Sequence, residues 1–223
     1  MEVSGPLRAV RSWEEVLPDP DPDAGVREAM LLTVGERGYA NTTVREVAER
    51  ARITQERFHR RFGTKEVCFA RAYEEAADDL AAELRAACEG AEGWRDGFEA
   101  ALARLLRFVA EQPVTARALL LEVRAARGEA WVKHQELSEQ LIAALDGARE
   151  EPGARPSVTP MTTGFVAGAI EESLCIEIAA GRAEAVERLL PDLIRLAYLQ
   201  LFGEDEQPIS SIEQGEGGPR SSA

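Results

Sequence analysis

Between positions 45 and 65 the chain sets seven basic residues (Arg45, Arg50, Arg52, Arg57, Arg60, Arg61, Lys65) against three acids (Glu46, Glu49, Glu56), a local charge of +4. A guanidinium is a planar fork of donors that matches a phosphate, or the O6/N7 edge of guanine, with two hydrogen bonds. Such chemistry needs a scaffold that puts the forks on one face, and the spacing supplies it. Thr43-Val44-Arg45-Glu46 reads as a capping box, with Val44, Val47 and Ala48 forming the apolar face of the helix it opens. A connection at Ala51-Arg52-Ile53 leads to Thr54, a second N-cap, and to a helix through Phe62. Phe58 and Phe62, at i and i+4, point into a small core. Gln55, Glu56, His59 and Arg60 lie opposite, with Arg57 and Arg61 on the flanks. These are the elements of a helix-turn-helix, whose second helix enters a DNA major groove.

Other chemistry is scarce. With His59 and His134 the two histidines of the chain, triad or metal catalysis has little to draw on. Glu56-x-x-His59 has the spacing of one di-iron ligand pair, but such a site needs two of these motifs and two further Glu residues. Trp131 stands where the acid paired with His134 would have to be. No glycine-rich phosphate loop is present. The expectation is a protein without catalytic residues, metal or cofactor. Cys68, Cys88 and Cys175 are odd in number and lack C-x-x-C spacing, so they read as small apolar residues in a reducing cytosol.

The 223 residues carry a net charge of −14, which leaves −18 outside the basic segment. That balance excludes a chain coated in basic surface, and it leaves room for one specific basic face. Hydrophobic residues at 45% and charged ones at 30% describe a globular chain. The apolar stretch Phe165 to Ile170 meets Glu171 and Glu172 well short of the ~20 residues that span a bilayer. A cytoplasmic protein without membrane contact is expected.

The elements that must position the basic face are helical throughout. Val26, Ala29, Met30 and Val34 mark the first helix, capped by Asp23 and stopped by Gly38. A long helix is expected over about 64–88, then helices over about 93–111, 114–127, 129–148, 158–180 and 183–202, separated by prolines and glycines. The fold class is all-α. Four parts follow: a mobile leader over 1–22, a helix-turn-helix domain over 23–69, a larger helical domain over 70–203, and a disordered acidic tail over 204–223.

The run from Val26 through Gly38-Tyr39-Ala40-Asn41-Thr42-Thr43-Val44-Arg45-Glu46-Val47-Ala48, then Ile53-Thr54 and Phe58-x-x-x-Phe62-x-x-Lys65-Glu66, resembles the DNA-binding domain of the TetR family of bacterial transcriptional regulators. The resemblance implies a homodimer on a double-stranded DNA operator, with a larger C-terminal domain that senses a small-molecule effector. It places Thr43 and Arg45 on DNA phosphates and Gln55 and Arg57 at bases or nearby backbone. Lys65 matches a recurrent phosphate-binding lysine, and His59 stands where the family usually has a tyrosine. Thr54, Arg60 and Arg61 complete the candidate DNA face. Arg52 replaces the usual turn glycine, which calls for a left-handed residue at some cost. Glu56 would repel phosphate unless it accepts from a cytosine or pairs with Arg52 or Arg60.

Trp94, Phe98, Leu102, Leu105, Phe108, Leu120, Val123 and Trp131 lie on helices that, by the resemblance, surround the ligand cavity. The last two helices carry the expected dimer contact: Gly164, Phe165 and Gly168 on one, and Leu190, Leu193, Ile194, Ala197, Tyr198 and Leu201 on the other. The functional expectation is a ligand-responsive regulator, a repressor more than an activator. Its rival is a helical ligand-binding protein or enzyme that does not bind DNA specifically.

Overall fold

The computed structural model describes residues 21–203. The expected leader over 1–20 and tail over 204–223 lie outside the described residues. Asp21 and Pro22, assigned to the leader, instead form the turn that starts the first helix: the Asp21 carbonyl accepts from Ala24 N, and its carboxylate binds Arg27.

Ten α-helices make up the described residues, with no strand among them. α1 (Ala24–Arg37), α2 (Val44–Arg50) and α3 (Gln55–Phe62) form a small head. Its core holds Met30, Val34, Val47 and Phe58, all essentially without exposure. α4 (Lys65–Ala87) starts in the head and continues without a break into the body, running roughly 35 Å at 1.5 Å per residue. A division at residue 69 therefore falls inside one rigid helix. The body adds α5 (Trp94–Glu111), α6 (Pro113–Arg117), α7 (Val123–Ala126), α8 (Gly128–Asp146), α9 (Pro160–Ala179) and α10 (Leu190–Leu201).

Two expected helices are interrupted. The segment expected over 183–202 is a 3-10 helix at Ala183–Leu189 and becomes α-helix at Leu190. Pro191 lacks an N–H, and its ring would clash with the carbonyl four residues back, so an α-helix can begin there but cannot pass through. The segment expected over 114–127 contains a widened π-helical turn, Ala118–Glu122, between α6 and α7. At the α7–α8 break Arg127 takes φ 57° and ψ −157°, a region that costs a non-glycine residue on the order of 1–3 kcal/mol.

Head and body meet along α1, α4 and α6. Gly35 of α1 packs so close to α6 that a Cβ there would lie 2.0 Å from the Val114 carbonyl oxygen, so this crossing requires glycine. Cys68 and Cys175 are buried, their thiols pushed up to about 12 and about 11 by desolvation.

Candidate nucleic-acid interface

Local chemistry builds the face as its sequence requires. Thr43 Oγ1 accepts from Glu46 N at 3.3 Å, and the Glu46 carboxylate accepts from Thr43 N at 3.0 Å, closing the capping box of α2. Thr54 Oγ1 caps α3 by accepting from Arg57 N at 3.1 Å. In the turn between them Arg52 has φ 55°, the left-handed conformation expected where the family has glycine. Phe58 and Phe62 are buried with ring centroids 5.4 Å apart, which turns Gln55, Glu56, Arg57, His59 and Arg60 outward on α3.

The cations of this segment divide into free and committed ones. Arg45 is largely exposed, with its nearest carboxylate, Glu49, at 3.9 Å. Arg52 and Arg57 are exposed and form no ion pair among the described residues. Arg60 pairs with Glu56 at 2.7 Å, which neutralises the acid that would otherwise repel phosphate. By contrast, Arg50 binds both oxygens of Glu36, at 2.9 and 2.6 Å, and ties α2 to α1. Arg61 grips Asp23 in the same two-pronged way, 2.8 Å from Nε to Oδ1 and 2.6 Å from Nη2 to Oδ2. Asp23 therefore stands at the N-cap of α1 without capping it by side chain.

Two further candidates are pinned by backbone carbonyls. His59 Nδ1 lies 2.9 Å from the Gly63 carbonyl. A carbonyl can only accept, so Nδ1 carries the hydrogen, and the outward Nε2 can donate to a phosphate only when the ring is protonated. Lys65 Nζ donates to Tyr39 O at 2.9 Å and to Thr42 O at 3.2 Å, and sits 4.1 Å above the Tyr39 ring. It fastens the α1–α2 loop to the start of α4 in this conformation.

One junction residue lies outside the expected site residues. Glu122, the last residue of the π-helical turn, accepts from the backbone N–H of Tyr39 at 2.9 Å and from Arg117 at 3.1 Å. Tyr39 is thus held from both sides, by the body through Glu122 and by α4 through Lys65. Its hydroxyl lies 3.4 Å from Glu66, and burial pushes it up to about 12.

Residues 33–72 match the bacterial regulatory proteins of the tetR family. The match covers 40 of the 223 residues, from the second half of α1 into α4. The matched segment contains α2, the turn at Arg52 and α3, the helix-turn-helix described above. Solved structures of similar fold include the fatty acid degradation regulator FadR from Bacillus halodurans, 16% identical, with a TM-score of 0.68 over 78% of this chain and 96% of that one. FadR from Bacillus subtilis, solved in complex with stearoyl-CoA, is 15% identical with a TM-score of 0.69 over 80% and 97%. SmeT, the repressor of the Stenotrophomonas maltophilia multidrug efflux pump SmeDEF, is 15% identical with a TM-score of 0.66 over 82% and 91%. No curated protein is matched by the sequence. No helix among the described residues is long and apolar enough to cross a membrane.

The residues expected around a ligand split into two groups in the body. Leu102, Phe108 and Val123 are buried in the common core, and Leu105, Leu120 and Trp131 pack against it. Trp94 and Phe98 stack at 5.2 Å in a separate aromatic cluster with Tyr198 and Phe202, at the end of the body away from the head. Trp94 Nε1 donates to Ala144 O at 2.9 Å there. A polar chain crosses the interior elsewhere in the body. Tyr73 Oη lies 2.9 Å from His134 Nδ1, His134 Nε2 lies 3.3 Å from Glu171, and Arg124 binds Glu171 at 2.7 Å. His134 and Arg124 hold the Glu171 carboxyl down at about 2.

The expected dimer residues also divide. Leu193, Ile194, Ala197, Tyr198 and Leu201 are buried within the protomer, because α10 turns its apolar stripe onto α5 and α9. Those five are core and not contact surface, and Leu190 is half-buried against the same core. Phe165 and Gly168 remain exposed on α9, and Gly164 is half-buried with Ile142 nearby.

Proposed function

We propose that the protein is a ligand-responsive repressor that binds a near-palindromic operator as a homodimer and leaves it when a small, mostly apolar effector enters the body. The observation that carries the reading is the outward face of α3, rich in donors and mounted on a head that α4 and Glu122 fasten to the body. Residues 23–69 serve as the DNA-binding head and 70–203 as the sensing and pairing body. Thr43, Arg45, Arg52, Gln55 and Arg57 form the contacting set. Arg61 and Lys65 set the head's geometry from behind.

Pairing through α9 is supported by a stripe of exposed apolar residues, Met161 (86%), Phe165 (59%) and Ile176 (54%), with Gly168 between them. Two-fold pairing there would set two α3 helices into successive major grooves, about 34–36 Å apart. An effector with a long apolar part suits the interior between α5, α7 and α8, in line with the stearoyl-CoA bound by the Bacillus subtilis relative. It shifts DNA binding only by as much as its affinities for the bound and released conformations differ.

A gel-shift with duplex DNA from beside the protein's own gene tests the reading, with retention at moderate salt expected. Arg45→Ala should then weaken binding to all sequences and lower the salt slope by about 1. Gln55→Ala or Arg57→Ala should relax preference at one base position, a loss of about 1–3 kcal/mol there. Failure to retain any duplex would leave a helical ligand-binding protein without specific DNA recognition.

A further inference from the structure

Between α1, α4 and the corner where α5 meets α6 lies a groove of about 590 Å³. That volume falls within the range of drug-sized ligand sites. Its floor is apolar, made by Leu31, Leu32, Ala72, Ala76 and Val114. The rim is acidic, carrying Glu28, Glu75, Asp79 and Glu111. The basic residue in the lining, Arg27, is already taken: it binds Asp21 and Glu75, the latter at 2.9 Å from Nη2 to Oε1. Glu111 shares a distant arginine, with Arg104 Nη1 at 3.7 Å. Glu28 and Asp79 have no ion pair among the described residues.

An apolar floor under unneutralised carboxylates repels an anion and gives a wholly neutral guest no use for the rim. The complementary guest has an apolar body and a positive centre. We infer that this groove is a binding site for a small amphiphilic organic cation, distinct from the body interior, and that its occupation is coupled to DNA binding. The coupling follows from the walls. α1 belongs to the head and the α5–α6 corner to the body, so one guest touching both biases the angle between them.

Tetraphenylphosphonium and tetraphenylborate, ions of the same shape and opposite charge, make the test. Titrated calorimetrically into the full chain, the phosphonium should bind once per chain and the borate about tenfold more weakly or not at all. Glu28→Gln combined with Asp79→Asn should weaken the phosphonium about tenfold. Gly25→Trp should block it. A Cβ at Gly25, on the groove wall, meets nothing within 4 Å, so α1 tolerates the change and the fold is checked by circular dichroism. DNA affinity should shift with phosphonium in the unchanged chain and not in Gly25→Trp, which controls for the cation's own effect on DNA. Equal binding of both ions, or binding indifferent to both variants, overturns the site. Binding seen only after removal of residues 1–20 overturns the small-molecule occupant in favour of the chain's own segment. A bound cation with the same DNA affinity in both chains overturns the coupling.

Discussion

Removing the Glu122 carboxylate should loosen the head from the body at one identifiable atom. Glu122 is mostly buried and accepts from Tyr39 N at 2.9 Å, while Tyr39 itself is 7% exposed. In Glu122→Ala that amide loses a charged acceptor and gains no other. Hydrogen bonds to charged groups contribute about 1.5–3 kcal/mol, and a buried unpaired donor costs a similar amount. The second partner, Arg117, is over a third exposed, so its loss adds ~0–1 kcal/mol at most. A net loosening of about 2 kcal/mol corresponds to roughly 30-fold faster exchange of the Tyr39 amide, if exchange proceeds through local opening of this junction. Hydrogen exchange followed by NMR reads that amide directly. Glu122→Gln keeps an acceptor oxygen without the charge and should recover more than half of the protection. Arg117→Ala should change it little. Unchanged exchange in the alanine variant, or a glutamine variant as damaged as the alanine one, would refute the clamp.

Other consequences are as concrete. Arg52→Gly relieves a φ of 55° in the helix-turn-helix turn and should raise stability by ~0.5–1 kcal/mol in chemical denaturation; a loss would mean the arginine makes compensating contacts. Phe165→Glu places a charge in the exposed apolar stripe of α9 and should shift the particle from dimer to monomer in light scattering, with weakened operator binding; an unchanged mass would move the interface elsewhere. Glu171 is held down at about 2 by His134 and Arg124, so its ionised carboxylate stabilises the fold above the ordinary carboxylate range. That contribution should fade as pH falls from about 4.5 towards 2, and the stability gap between the parent and Glu171→Gln should narrow in the same window. A gap that does not depend on pH would assign Glu171 a packing role.

What the sequence determined alone is what short-range chemistry controls. The capping box at Thr43 and Glu46, the Thr54 cap and the buried Phe58–Phe62 pair each depend on residues within four positions of one another. They are legible because a helix brings i, i+3 and i+4 together whatever the rest of the chain does. The local structure of the head was readable for that reason, and so was the all-α class.

Tertiary structure decided which of those side chains are available. Arg61 looks like any other cation of α3 until Asp23, 38 positions away, takes its guanidinium. Lys65 spends its ammonium on two carbonyls of a loop more than twenty positions earlier. Tyr39 meets Glu122 across 83 positions, through a π-helical turn that periodicity reads as ordinary helix. The apolar stripe of α10 has the same pattern whether it covers a neighbouring helix or a second chain, and only the packing of α5 and α9 against it assigns it to the protomer core. Hydrophobic burial is non-directional, so sequence can say that a face must be covered but not by what. The groove between head and body exists only where α1, α4 and the α5–α6 corner converge, and no stretch of sequence contains it.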